Sequence, residues 1–128
     1  MDEHRSEVAL VVDDSRVSRM MLSALLREQR PGLAIHEAAD GAEAVARAAE
    51  LRPDLVTLDI NMPVMDGFEA AERIRAALPT ATIVLLTANV QAASKARAET
   101  LGVHFLAKPI TEAVVDRHLL INNIRLMA

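Results

Sequence analysis

Five side chains that could do chemistry share one feature: each comes directly after an apolar run of strand-like composition. They are the acidic pair Asp13 and Asp14, then Asp59, Thr87 and Lys108. If these runs form parallel strands, their carboxyl ends lie at one edge of the sheet, where open α/β sheets bind ligands. We therefore expect the three carboxylates, the hydroxyl and the ammonium group to meet there.

Three carboxylates at one edge need a positive partner. Two like unit charges about 4 Å apart cost ~4 kcal/mol at an effective dielectric of about 20. Oxygen ligands without cysteine or histidine at metal-binding spacing suit a hard cation such as Mg²⁺. Asp14 and Asp59 are the expected direct ligands, and Asp13 is expected to act through a water molecule. The simpler alternative is that Asp13 and Asp14 only cap the helix that follows them.

A carboxylate can also accept a phosphoryl group as an acyl phosphate, which makes Asp59 the candidate nucleophile. The transferring phosphoryl group spreads charge over three oxygens, so catalysis is mainly positioning and charge neutralisation. The cation would serve one oxygen, Lys108 a second, and the Thr87 hydroxyl with the Ala88 amide a third. The alternatives are a turn aspartate, a surface lysine and an ordinary strand threonine.

The rest of the chain alternates between strand and helix patterns. Strands are expected at 7–12, 33–38, 55–58, 82–87 and 103–107, with helices between them and a fifth helix at about 111–127. Such alternation predicts a parallel sheet with helices on both faces. The expected inner faces are Val17, Met20, Met21, Ala24 and Leu25 in the first helix, Ala42, Val45 and Ala49 in the second, and Ala93, Ala96 and Leu101 in the fourth.

Composition fits a single globular domain over residues 1–128, with a loose start at 1–6. Hydrophobic residues make up 52% and charged residues 25% of the 128, enough for one sizeable core. The net charge of −4 argues against a nucleic-acid surface, and the absence of cysteine excludes disulfides and thiolate metal sites. No apolar run approaches the roughly 20 residues of a membrane span. The expected location is the cytoplasm.

These motifs together resemble a bacterial two-component response-regulator receiver domain of the single-domain, chemotaxis (CheY-like) type. The resemblance covers about residues 8–127 and rests on the acidic pair, D-x-x-M-P-x-M-D-G from Asp59, Thr87-Ala88 and Lys108-Pro109. With right-handed crossovers, it implies a doubly wound, flavodoxin/CheY-like (βα)5 sheet in the order 2-1-3-4-5. It also implies that the backbone carbonyl of Asn61 completes the Mg²⁺ site and that the Lys108-Pro109 bond is cis.

The resemblance implies a function as well. A sensor histidine kinase or a histidine phosphotransfer protein would donate the phosphoryl group from a phosphohistidine to Asp59. Thr87 would then move inward and Phe105 would fill the vacated space. This would change the face formed by helix four, strand five and helix five for a downstream target or a phosphatase. Such a protein is a phosphoacceptor that catalyses its own phosphorylation and dephosphorylation rather than an enzyme acting on other substrates.

Other interpretations remain open at this point. A flavodoxin-like FMN protein would bind an anion where Asp13 and Asp14 would repel it. A phosphatase with an aspartyl nucleophile would want an acid at position 61, where the chain has asparagine. A pseudo-receiver that only binds partners would not need all the expected groups. The chain could also be the receiver of a longer regulator or hybrid kinase, or an intermediate or phosphate sink in a phosphorelay.

Overall fold

Nine elements form residues 7–108, the part of the chain that the computed structural model describes. They are β1 (Val8–Val12), α1 (Arg16–Gln29), β2 (Ala34–Ala38), α2 (Gly41–Leu51), β3 (Leu55–Asp59), α3 (Gly67–Ala77), β4 (Thr82–Thr87), α4 (Ala92–Leu101) and β5 (His104–Ala107). The expected elements are therefore confirmed with small differences at their ends. The expected loose start at 1–6, the cis Lys108-Pro109 bond and the fifth helix lie outside the described residues.

The strands form one parallel sheet in the order β2-β1-β3-β4-β5. The register pairs Val12 with Leu58, Asp59 with Leu86, and Thr87 with Ala107. The carboxyl ends of β1, β3, β4 and β5 therefore lie side by side. The chain reverses direction across the sheet between β1 and β3, so the polar residues after these two strands meet where the fold leaves a crevice. The predicted fold class and strand order are confirmed.

Apolar layers cover both faces of the sheet. Because side chains alternate along a strand, Val56 and Leu58 join the layer under α2 and α3, whereas Leu55 joins the layer under α1. This is why the central strands are apolar at nearly every position instead of at every second one. No helix within residues 7–108 has the length and hydropathy to cross a membrane.

The predicted inner face of α1 is wrong. Leu22, Ser23 and Leu26 are buried, whereas Val17 and Met21, from the predicted face, are 64% and 65% exposed. Of the other three predicted residues, Met20 and Ala24 are exposed and Leu25 is half-buried. The true inner stripe is Arg19, Leu22, Ser23 and Leu26, spaced i, i+3, i+4 and i+7. An arginine and a serine interrupt its hydrophobicity, so a purely apolar pattern selects the neighbouring stripe.

The alanine stripes of α2 and α4 are also misplaced. Gly41, Ala44 and Ala48 are the buried residues of α2, and Ala98 is the one buried residue of α4. The predicted Ala42, Ala49, Ala93 and Ala96 are exposed, while Val45 and Leu101 are half-buried. In α2 the reason is close approach, because a Cβ atom at Gly41 would collide with the Met65 carbonyl oxygen.

Side-chain caps fix where three helices begin. Ser15 accepts from the Ser18 amide at 3.2 Å, Asp40 from the Glu43 amide at 2.8 Å and Asp66 from the Glu69 amide at 2.9 Å. In contrast, α4 begins after Gln91, which makes no side-chain cap. The start of α4 is therefore held less firmly than the other helix starts.

Gly67 lets α3 begin against the backbone of β3. A Cβ atom at this position would lie 2.5 Å from the Asp59 carbonyl oxygen and 2.8 Å from the Ile60 Cα. Backbone atoms cannot yield as a flexible side chain would. We expect Gly67→Ala to lower the free energy of unfolding by about 1–3 kcal/mol, measured by urea denaturation.

Gly32→Ala is the matched control, because no atom lies within 4 Å of a Cβ built at Gly32. This variant should be as stable as the wild type or slightly more stable, since alanine restricts the unfolded chain. Equal losses in both variants would contradict the steric argument.

Candidate functional site

Asp13 is held on every side at the end of β1. Its amide donates to the Ala38 carbonyl at 3.2 Å. One carboxylate oxygen, Oδ1, accepts from the Ser15 amide at 2.9 Å, and the other, Oδ2, accepts from the Lys108 ammonium group at 2.9 Å. Both oxygens of Asp13 are therefore engaged by the protein itself, which supports an indirect role toward a cation.

The carboxylate of Asp14, in contrast to that of Asp13, is not held by hydrogen bonds from the described residues. The Asp14 side chain is exposed and makes no hydrogen bond or ion pair with any residue in the described part of the chain. Asp13, Asp14 and Asp59 each offer a carboxylate oxygen, and these three oxygens lie within 4.8 Å of one another. The predicted acidic cluster is therefore present, and Asp14 supplies its uncommitted carboxylate. An all-carboxylate donor set of this kind fits a hard divalent cation.

Asp59 lies at the last position of β3 and is only 8% exposed. Its Oδ1 accepts a long bond of 3.3 Å from the Asn61 amide, and its Oδ2 lies 3.5 Å from the Lys108 ammonium group. Burial is the main cause that raises the pKa of Asp59, and the Asp13 charge adds to it. The Lys108 charge and the Asn61 amide oppose this rise without cancelling it. The charge of Asp59 is therefore incompletely compensated.

Lys108 joins two of the three carboxylates. Its backbone amide donates to the Thr87 carbonyl at 2.8 Å, which places the residue at the end of the sheet. Burial alone would lower the pKa of Lys108. The hydrogen bond to Asp13 and the charges of Asp59 and Asp13 outweigh burial, so the pKa is raised. Lys108 is therefore a firmly charged ammonium group between Asp13 and Asp59, not the solvated surface lysine of the alternative interpretation.

The Thr87 hydroxyl is already occupied. It accepts from the Asn89 amide at 3.1 Å and donates to the Asn89 carbonyl at 3.2 Å, which closes the turn between β4 and α4. Ala88, inside this turn, lines a cavity of 370 Å³ together with Asp13 and Lys108. In this conformation the hydroxyl serves the turn, so its predicted role at a phosphoryl group requires it to exchange partners.

The loop after Asp59 has a strained residue. Val64 has a φ of +70° and is 86% exposed, a conformation that is costly for a β-branched side chain. The loop is closed by the Met65 amide, which donates to the Pro63 carbonyl at 2.8 Å, and by the Gly67 amide, which donates to the Ile60 carbonyl at 2.9 Å. These bonds fold the chain back sharply and keep Asn61 beside Asp59.

Arg19 makes a contact at the site that was not predicted from the sequence. Arg19 donates from Nη1 to the Asp13 carbonyl at 2.7 Å and from Nε to the Glu37 carboxylate at 2.9 Å. The signal that could have found it is its spacing, because Arg19 lies three and seven residues before the buried Leu22 and Leu26. A charged residue in an inward stripe indicates a polar partner inside.

The sequence model of the response regulator receiver domain family matches residues 9–119. The chain belongs to this family. The expected receiver class is thereby confirmed, together with the fold that this class implies.

Two curated relatives of this receiver domain are protein-glutamate methylesterase/protein-glutamine glutaminases. The protein of Caldanaerobacter subterraneus is 44% identical over 102 residues, which are 78% of this chain and 28% of the relative. The protein of Anaeromyxobacter dehalogenans is 41% identical over 123 residues, 93% of this chain and 36% of the relative. The chain thus spans roughly a third of the length of these relatives.

Solved structures resemble this receiver over nearly its whole length. The response regulator domain of Thermotoga maritima CheB is 32% identical with a TM-score of 0.78, covering 96% of this chain and 97% of that one. The chemotaxis protein CheY4 of Vibrio cholerae is 31% identical with a TM-score of 0.78, covering 95% and 98%. The receiver is therefore similar both to a chemotaxis CheY protein and to the response regulator domain of a CheB protein.

The raised pKa of Asp59 predicts a pH dependence of stability. The folded receiver holds the Asp59 proton more tightly than the unfolded chain does, so protonation of Asp59 adds to the free energy of unfolding. This stabilisation is present below the ordinary pKa of 3.8 and is lost as the pH rises through the folded pKa. Asp59→Asn stays neutral. In metal-free buffer, its free energy of unfolding should therefore exceed that of the wild type by an amount that grows from acid toward neutral pH.

Urea denaturation with a chelator present, at a series of pH values, checks this. Glu72→Gln is the control, since Glu72 is an exposed carboxylate on α3 outside the acidic cluster, and its free energy of unfolding should stay close to that of the wild type throughout the series. If the difference in free energy of unfolding between Asp59→Asn and the wild type does not change with pH, the pKa of Asp59 is not raised in the folded receiver.

Proposed function

We propose that Asp59 accepts a phosphoryl group from the phosphohistidine of a sensor histidine kinase or a histidine phosphotransfer protein. An Asp59 oxygen forms the new P–O bond as the P–N bond to the donor imidazole breaks, and the nitrogen keeps the electron pair. The observation that carries this proposal is the pairing of a buried, incompletely compensated carboxylate with Lys108 3.5 Å away. Asp59 can act as the nucleophile, and the Lys108 ammonium group can neutralise charge on the oxygens of the transferred phosphoryl group.

Mg²⁺ is the cation that we propose for the acidic cluster. Asp14 and Asp59 would bind it directly, the Asn61 backbone carbonyl would complete the protein ligands, and Asp13 would act through a water molecule. Bound there, Mg²⁺ supplies positive charge to a phosphoryl oxygen and to the crowded carboxylates. The uncommitted carboxylate of Asp14 supports this assignment, because the described residues provide no other partner for its charge.

Signal output is proposed to begin at Thr87. To reach a phosphoryl oxygen, its hydroxyl must leave Asn89 and so open the turn before α4. Phe105 is half-buried on β5, opposite Leu85 in the register, and packs against the layer under α3. A ring in this position can be buried further, and complete burial of a Phe is worth roughly 1.5–3 kcal/mol. That is enough to bias a two-state equilibrium.

The partners follow from the same proposal. The phosphodonor would meet the edge where Asp59 lies, whereas a downstream target or a phosphatase would read the face of α4, β5 and the segment after it. A related chemotaxis receiver from Borrelia burgdorferi, 29% identical with a TM-score of 0.83, has been solved as a complex of CheX with CheY, BeF₃ and Mg²⁺. We propose action in the cytoplasm, without direct nucleic-acid or membrane partners.

A second candidate concerns the whole protein. The curated relatives are longer, and the matched region is 28% of one and 36% of another. This favours a receiver that regulates a methylesterase part attached to it, while single-domain signalling and a phosphorelay role remain the competing proposals. Reading the coding sequence on either side of these 128 codons decides between an attached output and a separate partner.

Phosphorylation by a small donor tests the acceptor. With acetyl phosphate and Mg²⁺, intact-mass spectrometry should show one added phosphoryl group on the wild type and none on Asp59→Asn. Glu72→Gln should be labelled like the wild type. Full labelling of Asp59→Asn would overturn the assignment.

The switch is tested by ring-proton NMR of Phe105. Beryllofluoride, which stands in for the phosphoryl group on Asp59, should move the Phe105 resonances in the wild type. Thr87→Ala should still bind beryllofluoride at Asp59, but the ring should respond weakly because the hydroxyl link is missing. An equal Phe105 response in both proteins would show that Thr87 does not couple the two sites.

A further inference from the structure

Arg19 lies between the acidic turn and the edge strand. Its side chain is only 16% exposed, and its guanidinium group donates to two acceptors, the Asp13 carbonyl at 2.7 Å and the Glu37 carboxylate at 2.9 Å. Glu37 is paired in register with Val11, two residues before Asp13. Because a guanidinium group is planar and presents its donors in fixed directions, two bonds hold it in one orientation.

These bonds fix the backbone around Asp14. The carbonyl oxygen of Asp13 lies in the same rigid peptide plane as the amide of Asp14, so Arg19 orients that plane. The next peptide plane is held by the Ser15 amide, which donates to Asp13 Oδ1 at 2.9 Å. Both planes that meet at the Cα of Asp14 are therefore held by hydrogen bonds.

The side chain of Asp14 has no comparable support. It is exposed and has no partner among residues 7–108, although its carboxylate belongs to the acidic cluster. Its direction is set by the backbone that carries it. A residue that holds this backbone therefore controls how well Asp14 can meet a cation, in the way that outer hydrogen bonds orient metal ligands.

We propose that Arg19 is a positioning residue for the cation site, acting through the Asp13 carbonyl on Asp14, and that Glu37 holds Arg19 in place. The inference rests on the proposed Mg²⁺ site. It predicts that replacing Arg19 changes the Mg²⁺ affinity in the direction opposite to the one expected from the charge of Arg19 alone. A nearby guanidinium charge repels Mg²⁺, so by charge alone its removal would strengthen binding, whereas loss of positioning weakens binding.

The test measures the dissociation constant of Mg²⁺ for the folded protein without any phosphodonor, by calorimetry or by titration of backbone amide resonances. Arg19→Met removes both hydrogen bonds. Arg19→Lys keeps the charge but cannot reproduce two in-plane bonds. Both variants should raise the dissociation constant by about tenfold. The matched control is Arg73→Met, which breaks another Arg–Glu pair, the 3.0 Å contact with Glu69 on the exposed side of α3, and should leave the constant unchanged.

Glu37→Ala and Glu37→Gln form a second, milder pair, which keeps the test decisive if the Arg19 variants do not fold. Both remove one negative charge, but glutamine keeps an oxygen that can accept from Arg19 Nε, so Glu37→Ala should weaken Mg²⁺ binding more than Glu37→Gln. A purely structural role would lower the unfolding temperature by the same amount with and without Mg²⁺, whereas loss of affinity shrinks the Mg²⁺-dependent increase.

The outcomes separate the two proposals. Unchanged or tighter Mg²⁺ binding in the folded Arg19 variants, or equal binding in Glu37→Ala and Glu37→Gln, overturns the positioning role and leaves the cation site standing. A wild type that does not bind Mg²⁺ overturns the cation site itself, and the positioning role with it.

Discussion

The repulsion among three carboxylates at one edge of the sheet is the constraint on which this receiver depends. Among residues 7–108, Lys108 is the one cation that forms ion pairs with these carboxylates, and it pairs with Asp13 and Asp59 but not with Asp14. Burial is the main cause that raises the pKa of Asp59, and the negative charge of Asp13 adds to it. The site is thus unfavourable as the chain alone builds it, and an added cation or a neutralised Asp59 relieves it. The proposed affinity for a cation and the proposed reactivity of Asp59 would have the same physical origin.

The rest of the fold has to hold these charges together. The two apolar layers do so from both faces, because β3 and β4 are buried along their whole length and β1 is buried from Ala9 onward. Close backbone approaches at Gly41 and Gly67 bring the loop after Asp59 against α2 and β3. The strained backbone of Val64 lies in the same closely packed loop. Strain and charge therefore gather in one loop region, where well-packed surroundings can keep a costly conformation.

The sheet and the site were predictable because their signals are local in the sequence. An apolar run followed by Asp13 or Asp59 reports a strand end, and parallel pairing brings such ends together. Which way α1 faces was not predictable from hydrophobicity, since its inner stripe contains Arg19 and Ser23. The orientation of α2 depends on a contact between Gly41 and Met65 that is distant in sequence. The Thr87 hydroxyl depends on a turn whose conformation its residue types do not specify.

The two ends of α4 are held very differently, and the weaker end is the one nearest the site. At the carboxyl end, Gly102 closes the helix in a left-handed conformation, and the Arg75 guanidinium donates to the Gly102 carbonyl at 3.0 Å. Along its length, Arg97 stacks 4.4 Å from the ring centre of Phe68, a cation–π contact of modest strength.

The amino end of α4 has no side-chain cap at Gln91. The turn that leads into it is closed by the Thr87 hydroxyl, the same group that must move to reach a phosphoryl oxygen. The proposed change of partner at Thr87 would therefore release the end of α4 that is held least, while Arg75 keeps the other end in place. In that proposal, the displacement of one hydroxyl group becomes a change in the surface of α4.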